Sequence, residues 1–131
     1  MKHLIPVLLI AASGVALAET PRQIGDTYAA AQGGGFRATA ARGAEFFARK
    51  FNVSEKMPTC ATCHTDNPAQ PGRHAITGKT IKPLAPVANA ERLSDPAKVE
   101  KWFTRNCKEV VGRECSAGEK ADFVAYLAEV R

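Results

Sequence analysis

Apolar positions along the chain form one nearly unbroken run at the start and several periodic stretches after it. Behind Lys2, Leu4 to Val15 is almost continuously apolar and leads into the small-x-small triplet Ala16-Leu17-Ala18. Residues 1–18 therefore read as a secretory signal peptide, and residues 19–131 as a single mature domain. The run is shorter than the ~20 apolar residues that span a bilayer, so no membrane anchor is expected once the leader is cleaved. From Thr20 to Gln32, Pro21 at the first helical position and the stop at Gly33-Gly34-Gly35 predict a short helix and a hinge. Thr39 to Lys50 predicts a second helix with Ala40, Gly43, Ala44 and Phe47 on one face, where Gly43 would let the last helix approach closely. Pro68, Pro71, Pro83 and Pro86, with Gly72 and Gly78, break any helical period from Asp66 to Pro86, as expected of a segment that wraps something. Ser94-Asp95-Pro96 opens a helix that should bury Val99, Trp102 and Phe103 and end near Cys107. The capping box Ser116-Ala117-Gly118-Glu119 opens the last helix, with an apolar stripe of Phe123, Val124, Leu127 and Val130. No convincing strand appears, so the predicted class is all-α.

Charge changes this picture little. The formal balance is +5, and loss of Lys2 with the leader brings the mature chain to +4. The charges are scattered rather than set in a stripe, which argues against a nucleic-acid partner. Gly33-Gly34-Gly35 follows no apolar strand and precedes no Lys-Ser/Thr pair, so it is not a phosphate-binding loop. A chain this small buries little surface by itself, and a cofactor or a cross-link would supplement its core.

Cys60-Ala61-Thr62-Cys63-His64 supplies such a cofactor. It matches the attachment signature of c-type haem, in which two thiols add to the vinyl groups and the adjacent His binds iron. Residues three apart lie on the same side of a helical turn, so Cys60 and Cys63 meet one porphyrin edge while His64 turns over the metal. A thioredoxin-like redox pair would want a βαβ context, and a zinc site would want a second closely spaced ligand pair; neither is present. One covalently bound haem c, with its iron, is the expected cofactor. Cys107 and Cys115 are left over, and in an oxidising compartment such a pair is expected to form a disulfide.

The iron's other side is harder to read. No Met follows the motif, and Met57, just before Cys60, reads as a packing residue. His74 is the remaining His of the mature chain, and the segment from His64 could extend about 33 Å, so distance does not exclude it as sixth ligand. Lys79 and Lys82 are weaker options, because a lysine must lose its proton to ligate. In that reading the protein is an ordinary closed, six-coordinate electron-transfer cytochrome c.

Four further features resemble one family: Arg105-Asn106-Cys107, Gly112-Arg113-Glu114-Cys115, the run from Lys98 to Phe103, and Pro83-Leu84-Ala85-Pro86. Together they resemble the sphaeroides haem protein, a small class-I-like monohaem cytochrome c, over roughly Phe36 to Leu127. The resemblance implies a class I cytochrome c-like fold of four to five helices and long loops around one haem. It implies Cys60, Cys63 and His64 as the haem residues, a Cys107–Cys115 disulfide, and Asn106 as a labile sixth ligand to iron. It further implies a periplasmic protein that receives electrons from a dihaem cytochrome c or a membrane cytochrome b. Ferrous haem would then bind a diatomic gas, O2 or NO, once Asn106 leaves. Whether a terminal oxygen or nitrogen-oxide reaction follows is left open by these residues.

Overall fold

The computed structural model describes residues 17–131; the expected leader, apart from Leu17 and Ala18, lies outside the described residues. Five α-helices and one two-stranded ladder follow in the order α1 Pro21–Gln32, α2 Ala40–Ala48, α3 Ala61–His64, β1 Gly72–Arg73, β2 Thr80–Ile81, α4 Pro96–Asn106 and α5 Ala117–Glu129. Among the described residues no helix is long and apolar enough to cross a membrane.

Each long helix begins where a short polar side chain can satisfy its first free N–H groups. Thr20 caps α1 in a reciprocal box with Gln23, Thr39 accepts from the Arg42 N–H, and Asp95 accepts from the Lys98 N–H just before Pro96. Ser116 and Glu119 form the expected box at α5. Gly33, Gly34 and Gly35 all take positive φ and turn the chain from α1 into α2.

α5 is the central element, packed against both α1 and α2. Gly25 of α1 lies over Val124, and Gly43 of α2 lies over the Asp122 backbone and Tyr126. The expected crossing of α2 and α5 is thus present. Phe123 sits among Phe46, Phe47 and Phe103, with ring centroids at 6.3, 6.0 and 5.7 Å. The buried set of α5 is wider than a single stripe: Ala121 and Asp122 are buried beside Val124 and Leu127, because helices cover two sides of it. Val130 follows the helix end rather than extending its stripe. Trp102 also differs from expectation; it is 47% exposed, whereas Val99 of the same helix is buried.

The segment from Asp66 to Pro86 is irregular but not free of strand. Gly72 pairs with Ile81 and Arg73 with Thr80 in an antiparallel ladder, and His74 extends the hairpin through its N–H to the Lys79 carbonyl at 2.9 Å. Strands of two residues are too short to leave an alternating pattern in sequence. The N–H groups of Leu84 and Ala85 both donate to the Pro68 carbonyl, closing the segment on itself.

Candidate haem site

Thr59 sets up the motif turn. Its hydroxyl accepts from the Thr62 N–H at 3.0 Å, while the N–H groups of Cys63 and His64 both donate to the Cys60 carbonyl. The turn ends sharply at Thr65, whose φ of 62° halts the helix directly after His64. Cys60 and Cys63 are thereby held on one face of one turn, and they are not bonded to each other. Burial pushes the Cys60 thiol up to about 11. Burial, then the positive charge of Arg92, push His64 down to about 4, so its imidazole is neutral with a lone pair for a metal.

The walls come from distant parts of the chain. Met57, Cys63 and Val110 form one buried cluster, with Phe51, Cys60 and Ile81 packed against it. Met57 is therefore a packing residue, as the sequence suggested. The β1–β2 hairpin lies on the motif: a Cβ at Gly72 would overlap the Cys63 carbonyl, and the Ala75 N–H points at the Cys63 sulfur at 3.3 Å. The same hairpin carries His74, whose Nδ1 accepts from the N–H groups of Ile76 and Thr77 at 3.3 and 3.2 Å. The hairpin thus brings His74 near the motif turn.

Asn106 has a different setting. α4 ends at this residue and continues as a π-helical turn, Cys107–Val111, closed by Gly112 in the left-handed region at φ 80°. Wide turns of this kind often mark functional positions. Cys107 is joined to Cys115 by a disulfide with a Cα–Cα distance of 5.7 Å, so the turn is tied to the start of α5. Val110, in the same turn, belongs to the cluster around Cys63. Asn106 is half-buried, and its carboxamide makes no side-chain capping bond to the turn it opens. Helix capping, the commonplace role for an Asn in this position, is not what the side chain does.

Two uncombined thiols on one turn, a neutral buried imidazole next to them and apolar walls above suit a covalently attached porphyrin. Together with a helical fold whose terminal helices pack on one another, they define a c-type cytochrome. Comparison with known proteins makes the class narrower. A family model described as a domain of unknown function, DUF1924, matches residues 34–127. The chain is 41% identical over 128 residues to the cytochrome c-type protein SHP of Cereibacter sphaeroides, covering 97% of each. It is 52% identical over 83 residues to cytochrome c'' of Methylophilus methylotrophus, a match spanning 63% of this chain and 58% of that protein. Oxidised SHP, described as an oxygen-binding cytochrome c, superposes with a TM-score of 0.78 at 43% identity over 85% of this chain and 97% of that one. Oxidised cytochrome c'' superposes at 0.76, with 39% identity over 85% and 94%. The chain belongs to the sphaeroides haem protein family of small monohaem cytochromes c, and it carries one covalent haem c.

Sequence reasoning singled out the motif cysteines, His64, Asn106 and the disulfide pair, and the fold gathers the motif, Val110 and the disulfide-tied turn into one region. It missed Arg92, whose charge reaches His64 from a loop that carries no motif. Its only sequence mark is a cation set among the turn-forming residues after Pro86.

Proposed function

We propose that this chain is an exported periplasmic cytochrome that accepts an electron and then binds a small diatomic gas, O2 or NO. Residues 1–18 are its leader and 19–131 its single domain. Cys60 and Cys63 anchor the haem by thioether bonds, His64 ligates iron on one side, and Asn106 closes the other side in the oxidised state. The bound haem supplies a one-electron iron couple and, when reduced, a coordination position for the gas. Asn106 offers a neutral amide oxygen, a hard and weak donor that suits ferric iron and holds ferrous iron poorly. Its release on reduction makes it a gate. A dihaem cytochrome c or a membrane cytochrome b is the electron donor in this reading.

The observation that carries the proposal is the uncommitted carboxamide of Asn106 at the mouth of the disulfide-tied π-helical turn, which packs through Val110 on the Cys63 cluster. Oxygen binding by a relative this similar over nearly its whole length supports the choice of ligand class. The test is carbon monoxide added to reduced protein, together with Asn106→Ala. Wild type should bind carbon monoxide at once on reduction, and the variant should be open and high-spin when ferric. A haem that stays closed to carbon monoxide, or a variant with wild-type spectra in both oxidation states, would remove Asn106 from the iron.

A further inference from the structure

Between Asp66 and Glu91 the chain carries no acidic residue, and this stretch includes the hairpin that covers the haem motif. Arg73, Lys79 and Lys82 stand in it, all three exposed. The ion pairs of the described residues all fall outside the stretch, so none of them engages these three cations. Basic residues that look scattered along the chain are thus gathered by β1 and β2 into one surface loop, with no carboxylate from the described residues set against them.

The loop is held in shape by its own bonds. Nη1 of Arg73 donates to the Gly78 carbonyl at 2.9 Å, and the Gly78 N–H donates to the His74 carbonyl at 2.9 Å. Nδ1 of His74 accepts from the Ile76 and Thr77 N–H groups, which folds the tip and leaves the apolar Ile76 58% exposed. A partner that met this tip would have little left to order on binding. The base of the hairpin rests on Cys63 through Gly72, and the Ala75 N–H reaches the Cys63 sulfur at 3.3 Å. One exposed apolar residue with cations around it has the makeup of a small docking face, in which the charged rim steers encounter and selects a partner of opposite sign.

We propose that the β1–β2 hairpin, with Arg73, Lys79 and Lys82 around Ile76, is the face on which the electron-donating cytochrome docks through an acidic rim, so that the electron enters over Cys63. The proposal deepens the electron-accepting reading above and rests on its assignment of Cys60, Cys63 and His64 to the haem. The donor's ferrous iron loses one electron and the ferric iron of this protein gains it; no bond forms or breaks between the two proteins. Attraction between the cationic hairpin and the acidic rim raises the rate of encounter, and added salt screens it.

The test is stopped-flow reduction of the ferric mature holoprotein by two reductants, a reduced dihaem cytochrome c and the uncharged semiquinone of lumiflavin. Wild type is compared with the double variant Lys79→Glu, Lys82→Glu, with Ile76→Ser, and with a control, Arg22→Glu, Arg131→Glu, that makes the same change in net charge on α1 and beyond α5. With the dihaem cytochrome, the wild-type second-order rate constant should fall as salt is added. At low salt the hairpin double variant should be slower by about tenfold or more, and the control should stay near wild type. Ile76→Ser should slow the reaction at all salt concentrations, because it removes the apolar centre and leaves the charges. Lumiflavin has no charge to meet and should reduce all four proteins at one rate. A hairpin double variant as fast as wild type, a control slowed as much as that variant, or a wild-type rate indifferent to salt would overturn the docking face. So would a wild type that lumiflavin reduces and the dihaem cytochrome does not. A pyridine haemochrome spectrum of the same samples separates the two readings: thioether-linked haem with any of these outcomes sinks the hairpin face alone, whereas wild type without such haem sinks both.

Discussion

Asp122 is 6% exposed, yet its carboxylate is fully engaged. It accepts from the Thr39 N–H at 2.7 Å and from Nε and Nη2 of Arg42, each at 2.8 Å, so α2 and α5 are pinned by a forked charge pair at their crossing. Arg42 was unremarkable in the sequence, since a cation on a helix usually faces water. Only the approach of α5 gave it a partner. Glu119 shows the same logic with a consequence for pH. Hydrogen bonds from Arg113 and from the Ser116 N–H hold its carboxyl below the ordinary glutamate value of 4.5. A group with a depressed folded value stabilises fully above its unfolded value, and that contribution disappears as pH falls through the folded one. Stability should therefore drop below about pH 4.5, and more steeply in wild type than in Glu119→Gln. Urea melts at pH 6 and pH 3 would check this; equal losses in the two proteins would show that the Arg113 and Ser116 bonds contribute nothing to acid sensitivity.

Among the elements, the crossing of α2 and α5 depends on Gly43. A Cβ there would overlap the Asp122 carbonyl, which is backbone and has no freedom to turn away. Gly43→Ala should cost about 1–3 kcal/mol by overpacking, despite the better helix propensity of alanine. Gly25 of α1 is the control: its Cβ would stand 3.3 Å from a Val124 methyl, a contact that a side chain can relieve. Gly25→Ala should stay within about 1 kcal/mol of wild type. Thermal melts that rank the two variants the other way would mean that α1, not α2, makes the tight contact. The disulfide acts at the same scale. Closing the loop from Cys107 to Cys115 contributes roughly 2.5 kcal/mol if restriction of the unfolded chain is the main effect. Intact protein should add a pair of hydrogens, and lose about that much stability, only after a reductant is supplied. Two thiols that alkylate without reductant would contradict the bond.

For the whole molecule, the N-terminal end of the domain is part of the fold. The Glu19 N–H donates to the Ser94 carbonyl at 3.0 Å, and α1 packs on α5 from there. Tyr28 of α1 and Lys120 of α5 meet at Glu100 of α4, at 2.7 Å each, which joins three helices through one carboxylate. A leader cleaved after Ala18 would leave this framework intact and place the new terminus beside Ser94. N-terminal sequencing of the secreted protein should accordingly begin at Glu19, and a secreted chain that still began at Met1 would contradict the leader assignment.

The helix starts were legible in the sequence because caps, first-turn prolines and glycine stops are local: Thr20, Thr39, Asp95 and Ser116 act within one turn of themselves. The haem motif was legible for the same reason, since its chemistry is set by residues sharing one turn. The hairpin was not legible, as its pairing joins residues separated by a loop and leaves no period in either strand. Nor was the outward turn of Trp102, whose ring has Arg92 over it. The widened turn after Asn106 had no sign either; it sits where Val110 packs with Cys63 and the disulfide holds Cys107 to Cys115. The sequence by itself determined the long helices and the attachment chemistry, because both depend on neighbours a few residues apart. Tertiary structure decided what surrounds the attachment motif, because only packing brings the π-helical turn, the hairpin and Arg92 from distant stretches of chain to the same turn of residues 60–64.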